Sequence, residues 1–197
     1  MFGFKRSVLG VLAVFGVLAG AAAIGVGAFS LSMSSQIASA GAPETIPNEL
    51  IDYPTFREIV AKAEAPRELS RLTESEFLAA MKEPGTVLLD ARSAQAFELR
   101  HISGARNLPY TDWTEAALAE VIPTKNTRVL IYCNNNFLGS QHSFATKAAP
   151  ASLNLLSYTS LVAYGYTNIN ELGPLLSIHE TALPFAGTEV ETVADVG

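Results

Sequence analysis

The chain has 197 residues, 49% of them hydrophobic and 16% charged, with a net charge of -6. That balance fits one ordinary domain plus an additional apolar segment, excludes global disorder, and argues against a nucleic-acid partner, which would call for a basic surface. A single cysteine, Cys133, excludes an intramolecular disulfide framework and a multi-cysteine zinc site, and three histidines leave little for a metal cluster, so neither a metal site nor a cofactor is expected.

The apolar excess is local. Residues 8–29 contain only Val, Leu, Ile, Phe, Ala and Gly. As a helix this run reaches about 33 Å, enough for a bilayer core of about 30 Å. Lys5 and Arg6 precede it and no further basic residue occurs before Arg57, so the positive-inside rule keeps the N-terminus in the cytoplasm and exports the rest. Residues 1–31 are therefore expected to be a signal or membrane anchor. The full length of the run favours an uncleaved anchor in a bacterial-type inner membrane, with the domain facing the periplasm or outside. Small-residue patterns at Ala21-Ala22-Ala23 and Ala38-Ser39-Ala40 keep signal cleavage and periplasmic secretion as the alternative. The GxxxG formed by Gly16 and Gly20 is expected by chance in so glycine-rich a stretch.

Residues 32–47 are small and polar and read as a linker. Residues 48–70 read as a helical extension: Leu50, Ile51, Tyr53, Phe56, Ile59 and Val60 have helical spacing up to about residue 65. Thr73-Glu74-Ser75-Glu76 is a capping box for a helix that runs to about Lys82 and stops at Pro84-Gly85. Residues 86–90 form a short apolar strand, 93–100 a short helix and 105–108 a further strand. Thr111 or Asp112 caps a helix ending before Pro123. Residues 128–132 are the clearest buried strand, and they end at Cys133. A helix over 152–164, closed by Gly165, leads to a last strand over 166–172. Helices alternating with short buried strands predict an α/β domain, its mostly parallel central sheet flanked by helices, over residues 71–175. The pattern fades thereafter, so residues 176–197 are expected to be a peripheral tail.

In an open α/β sheet, ligands bind at the carboxyl ends of the strands. Cys133 stands at such an end, followed by Asn134, Asn135, Asn136, Phe137 and Leu138. A loop running from strand to helix can aim backbone amides at one point and favour a thiolate or persulfide anion there. From spacing alone, a buried structural cysteine is an equally good reading.

Several segments, in order, resemble the rhodanese-like (sulfurtransferase) domain family over residues 72–172. Val87-Leu88-Leu89-Asp90-Ala91-Arg92 is similar to its strand and Asp-x-Arg signature. His101-Ile102-Ser103-Gly104-Ala105 is similar to its Gly-His-Ile-Pro-Gly-Ala segment. Ile131-Tyr132-Cys133 is similar to the strand that delivers its active-site cysteine, and Tyr164-Gly165-Tyr166-Thr167-Asn168 to its closing turn. The resemblance implies a rhodanese-like fold and sulfane-sulfur transfer through a persulfide on Cys133. Residues 134–138 would form the substrate loop, with Asp90, Arg92 and His101 in supporting roles. The partners implied are a small sulfur donor with a thiol acceptor, or a protein, besides the membrane through residues 8–29.

The chain departs from that pattern in three places. No Arg follows Arg128, so the loop lacks an anion clamp, and Arg106 is the nearest candidate to supply positive charge. Glu171-Leu172-Gly173-Pro174 replaces the usual Glu-Gly-Gly. Residues 140–151 look like an insertion beside the site, a lid or docking loop carrying His142. These departures motivate an alternative function, a non-catalytic binding or regulatory module that docks a partner at the Cys133 loop and the insertion. Position 138, five after the cysteine, is Leu, which speaks against a Cys-dependent phosphatase; thiol redox exchange would lack a resolving cysteine.

Overall fold

The computed structural model describes residues 46–190. The expected apolar helix over 8–29, nearly all of the 32–47 linker and residues 191–197 lie outside the described residues. Among those described, no helix is long and apolar enough to cross a membrane.

Fourteen elements follow one another from Tyr53. Helix α1 (Tyr53–Leu69) leads to β1 (Arg71–Leu72), α2 (Glu74–Met81), β2 (Val87–Asp90), α3 (Ala94–Leu99), β3 (His101–Ile102) and β4 (Arg106–Asn107). Then come α4 (Glu115–Val121), β5 (Val129–Tyr132), β6 (Phe137–Leu138), α5 (Leu153–Ala163), β7 (Ile169–Leu172), β8 (Leu176–Ser177) and β9 (Phe185–Ala186). The central sheet has five strands in the order β1-β7-β5-β2-β4, and all its pairings are parallel. Parallel neighbours need crossover connections, and the helices between the strands supply them. The expected α/β architecture with a parallel sheet is the one observed.

Strand alternation divides the core in two. Val87, Leu89, Val129, Ile131 and Ile169 pack with Ala63 of α1, Leu118 of α4 and Leu161 of α5. Leu88, Leu130, Tyr132 and Leu172 pack on the other face with Phe77 and Ala80 of α2, together with Phe137, Phe144 and Leu183. Both faces are covered, so the central strands are apolar on both sides and read as continuous runs.

The helix ends follow local chemistry. The capping box at α2 is formed: the Glu76 amide donates to Thr73 Oγ1 at 3.3 Å and the Thr73 amide to Glu76 Oε2 at 2.8 Å. At α4 the cap is Thr114, whose hydroxyl accepts from the Ala117 amide at 3.1 Å. The expected caps Thr111 and Asp112 lie one turn earlier, in a 3₁₀ turn over Tyr110–Asp112. Helix α1 begins at Asp52, which accepts from the Thr55 amide at 3.0 Å, with Pro54 in its first turn. It also runs past residue 65, carrying Pro66 in its interior, as far as Leu69.

The segment after residue 175, expected to be peripheral, is tied to the domain. Strand β8 pairs with β6, β9 pairs antiparallel with β3, and Leu183 is buried. Leu130 is fully buried at the centre of β5. Its truncation in Leu130→Ala is expected to cost about 2–5 kcal/mol, measured as a lower urea midpoint with an unchanged slope.

Candidate active site

Strand β5 carries the chain to Cys133, whose backbone remains extended (φ -147°). A 3₁₀ turn over Asn134–Asn136 follows at once. Within that turn the Asn136 amide donates to the Cys133 carbonyl and the Phe137 amide to the Asn134 carbonyl. The Asn136 amide also points toward the Cys133 side chain, and the Asn135 amide faces the sulfur.

A further amide comes from elsewhere. Asn154, in the first turn of α5, directs its backbone N–H at Cys133, and the Ser152 hydroxyl at the helix entrance does likewise. The sulfur thus lies at the positive end of an eleven-residue helix, where an anion is favoured.

One side chain holds this arrangement together. Asn136 is 5% exposed. Its Oδ1 accepts from the Cys133 amide at 2.9 Å and from Asn154 Nδ2 at 3.1 Å. Its Nδ2 donates to the Leu172 carbonyl at 2.7 Å and to the Pro174 carbonyl at 3.2 Å. A carboxamide offers two donors and two acceptor sites, and all four are used. They join the cysteine turn to the start of α5 and to the end of β7.

Cys133 is 1% exposed. Burial pushes its thiol above the ordinary value. The Asn135 and Asn154 amides oppose that shift, the Glu171 charge adds to it, and the Ser152 hydroxyl again favours the thiolate. Glu171 belongs to the same sheet face. It is the register partner of Ile131 across β5 and β7, and Cys133 follows Ile131 by two residues.

A groove of about 890 Å³ opens beside the turn. Asn134, Arg92, Ser93, Asp112, His142 and Lys147 are among its walls, and Leu153 at the start of α5 closes it. Cys133, which precedes Asn134, is not among its walls.

The residues expected at the site divide into separate places. Asn134, Asn135 and Asn136 stand at the sulfur or beside it. Phe137 turns into the core and packs on Phe144 and Phe185. Leu138 leaves the turn in β6, half exposed. Asp90 and Tyr132 belong to the opposite sheet face, which α2 covers. There Arg92 bonds to both Asp90 oxygens and to the Ser143 and Arg100 carbonyls, and Tyr132 donates its hydroxyl to Asp90. Asp90 and Arg92 thus form a buried ion pair, and the cap of α3 is Ser93, which accepts from the Ala96 amide. His101 stacks on Phe97 at 3.7 Å and places Nδ1 2.7 Å from the Phe97 carbonyl, so its partners lie on α3.

Arg106 supplies no charge to the sulfur, because its guanidinium donates to the Val121 carbonyl at the end of α4. The 140–151 insertion is anchored at two points within its loop. Phe144 is buried beneath the Arg92 guanidinium, and Asn135 exchanges two hydrogen bonds with the Lys147 backbone. His142 is exposed and lies 3.5 Å from Glu189. Among the described residues no group of three His, Cys, Asp or Glu could hold a metal ion.

No sequence signal singled out Asn154, Ser152 or Arg67, and Glu171 stood out only within the departure at residues 171–174. One signal was present for Glu171: it is in phase with Ile169, so a carboxylate falls among positions that point into the core. Arg67 was hidden behind Pro66, which reads as a helix end.

Two outcomes follow from the site. Replacing Asn136 by Leu leaves the Cys133 amide and the Leu172 and Pro174 carbonyls without their partner. Each such buried group costs about 1–3 kcal/mol, so Asn136→Leu should show a clear loss of stability in urea unfolding. With its pKa raised, Cys133 stays a thiol to higher pH than an exposed cysteine. Its alkylation by iodoacetamide should therefore be slow at pH 7 and rise through a midpoint above that of a free cysteine peptide measured in parallel.

Comparison with known proteins follows the same lines. Residues 73–172, just over half of the chain, match the family model described as the rhodanese-like domain. No curated protein matches. Among solved structures, the rhodanese-like domain of an Anabaena protein is 19% identical with a TM-score of 0.43, over 61% of this chain and 80% of that one. A rhodanese from E. coli is 20% identical with a TM-score of 0.36, over 52% of this chain and 99% of that one. A thiosulfate sulfurtransferase from Pseudomonas aeruginosa is 23% identical with a TM-score of 0.41, over 61% of this chain and 20% of that one. With the family model spanning the sheet from α2 to the end of β7, Cys133 included, the chain belongs to the rhodanese-like domain family.

Proposed function

We propose that the protein transfers sulfane sulfur through a persulfide on Cys133. The observation that carries this reading is the position of the sulfur. It ends a central parallel strand, at the amino end of α5, facing the amides of Asn135 and Asn154. Membership of the rhodanese-like family adds to it.

The chemistry needs one nucleophile and an anion-tolerant pocket. The Cys133 thiolate attacks the sulfane sulfur of a donor. A bond forms between Sγ and that sulfur, while the bond to the rest of the donor breaks and its electron pair departs with the leaving group. The outer sulfur of the persulfide carries the negative charge, which the two amides and the helix end stabilise. An acceptor thiolate then attacks the outer sulfur, and Sγ leaves as the regenerated thiolate.

The membrane-anchored, exported location is part of the same proposal, motivated by the apolar run over 8–29 and the basic Lys5 and Arg6 before it. A second reading, a binding module, draws on one observation: Cys133 is buried, and burial holds its thiol up. In that case a partner would occupy the groove between Asn134, His142 and Lys147.

Intact-mass measurement of the full chain tests the proposal. After exposure to thiosulfate or polysulfide, the protein should gain about 32 Da, one sulfur atom, the unit moved in thiolate sulfur exchange. A thiol acceptor should remove it, and Cys133→Ser should never acquire it. Absence of the added mass with several donors would refute sulfur transfer. The mature N-terminus read in the same spectrum separates a retained anchor from a cleaved signal.

A further inference from the structure

Glu171 is 1% exposed, in the interior of the domain. Two arginines from outside its own strand reach it. Arg67 Nη2 of α1 lies 2.6 Å from Glu171 Oε1, and Arg71 Nε of β1 lies 3.3 Å from the same oxygen. The other oxygen, Oε2, accepts no hydrogen bond among the described residues, and neither does Arg67 Nε find a partner. The strand register sets Glu171 opposite Ile131 on the face that Cys133 shares. Helix α1 lies against that face through Ala63, and Arg67 follows Ala63 by one helical turn.

The family match begins at residue 73, so α1 and Arg67 precede it. We propose that Arg67 and Glu171 are positioning residues for the Cys133 sulfur: an ion pair whose arginine comes from outside the family match sets the charge that the sulfur faces.

The signs are fixed by the geometry. The Glu171 carboxylate opposes a second negative charge on Cys133, and Arg67 offsets that opposition. Other charges meet Glu171 as well. Arg71 on β1 reinforces Arg67, while Glu68 on α1 accepts from both arginines and diverts part of their charge. The only ionisable side chain that α5 carries is the Tyr158 phenol, and on β5 it is Tyr132, which faces the other side of the sheet. The charge of Glu171 reaches the sulfur and that of Arg67 is not among those that do, so Arg67 acts on the sulfur through the carboxylate it holds. Detaching α1 would withdraw it and leave the buried carboxylate with the charge of Arg71 alone.

Cys133 is the only cysteine in the chain, so thiol alkylation reports on it without other substitutions. The experiment measures iodoacetamide alkylation of the full chain in detergent across a pH series from mildly acidic to strongly alkaline. Glu171→Gln should lower the pH midpoint and Arg67→Ala should raise it. Each shift is expected to be about one pH unit, which is about tenfold in thiolate at fixed pH. The double variant Arg67→Ala/Glu171→Gln should behave as Glu171→Gln alone, and Arg67→Lys should restore the native midpoint.

An Arg67→Ala shift of equal size in the Glu171→Gln background would overturn the inference, since a general loss of packing needs no carboxylate at that position. An unchanged midpoint in Glu171→Gln, a substitution that keeps the native shape, would overturn it even where Arg67→Ala fails to fold. The inference rests on Cys133 as the nucleophile, but alkylation reads ionisation alone. Unchanged midpoints with persulfide formation would refute this coupling and leave sulfur transfer intact. Shifted midpoints without any persulfide would do the reverse.

Discussion

The carboxamide of Asn136 is the constraint from which the rest of the site takes its shape. A buried amide with four satisfied hydrogen-bonding positions resists rotation, because any other orientation strands several groups at once. Here those groups are the Cys133 amide, the Asn154 side chain and two carbonyls at and beyond the end of β7. The helix start and two strand ends are thereby held in one frame. The frame brings the Asn154 amide to the sulfur, and the Asn135 amide, left over by the tight turn, meets it from the other side. A cysteine loop without an arginine still acquires anion-stabilising groups in this way, from backbone rather than from side-chain charge.

The two sheet faces manage buried charge differently. On the face covered by α2, Asp90 and Arg92 are both almost fully buried, and their polar atoms are consumed by each other, by Tyr132 and by two carbonyls. Such a pair holds geometry rather than adding much stability, because desolvation offsets most of the attraction. It fixes the insertion through the Ser143 carbonyl and seats Phe144 beneath the guanidinium. On the face covered by α1 and α5 the polar balance is incomplete. Glu171 keeps an oxygen without a hydrogen bond, and burial raises its pKa against the pull of Arg67 and Arg71. The satisfied pair belongs to the scaffold, and the incompletely satisfied one shares a face with the Cys133 sulfur. That contrast is expected where function, rather than stability, selects a buried charge.

Legibility in the sequence followed the range of the interactions. Val129 to Tyr132 is an apolar run bounded by turn residues, and Thr73-Glu74-Ser75-Glu76 is a local cap, so β5 and α2 could be read from neighbours alone. The family resemblance extended that reading to a rhodanese-like fold over residues 72–172. Contacts between distant residues could not be read. Arg67 and Glu171 are 104 positions apart, and Asn136 meets the Pro174 carbonyl 38 positions later. The cap of α4 was misplaced because Thr111, Asp112 and Thr114 are all good caps, and a 3₁₀ turn takes the first two. Asn135, Asn136 and Asn154 were visible as residue types, but no spacing rule says that two of them will share a carboxamide bond across 18 positions.

The boundary of the family match is not the boundary of the packed unit. The match ends with β7 and begins at the cap of α2. Segments beyond both ends complete the two faces. Before it, α1 brings Ala63 to the first core and Arg67 to Glu171. After it, Leu183 is buried in the second core, and Phe185 stacks edge-on against Phe137, the residue that carries the cysteine turn away from the sulfur. A parallel sheet requires cover on both sides, and here the flanking segments supply part of that cover. The cysteine strand is consequently flanked by a helix entering on one sheet face and a strap returning on the other. Changes in either flank reach Cys133 through contacts already in place: from α1 through Glu171, and from the strap through Phe137 and the turn that precedes it.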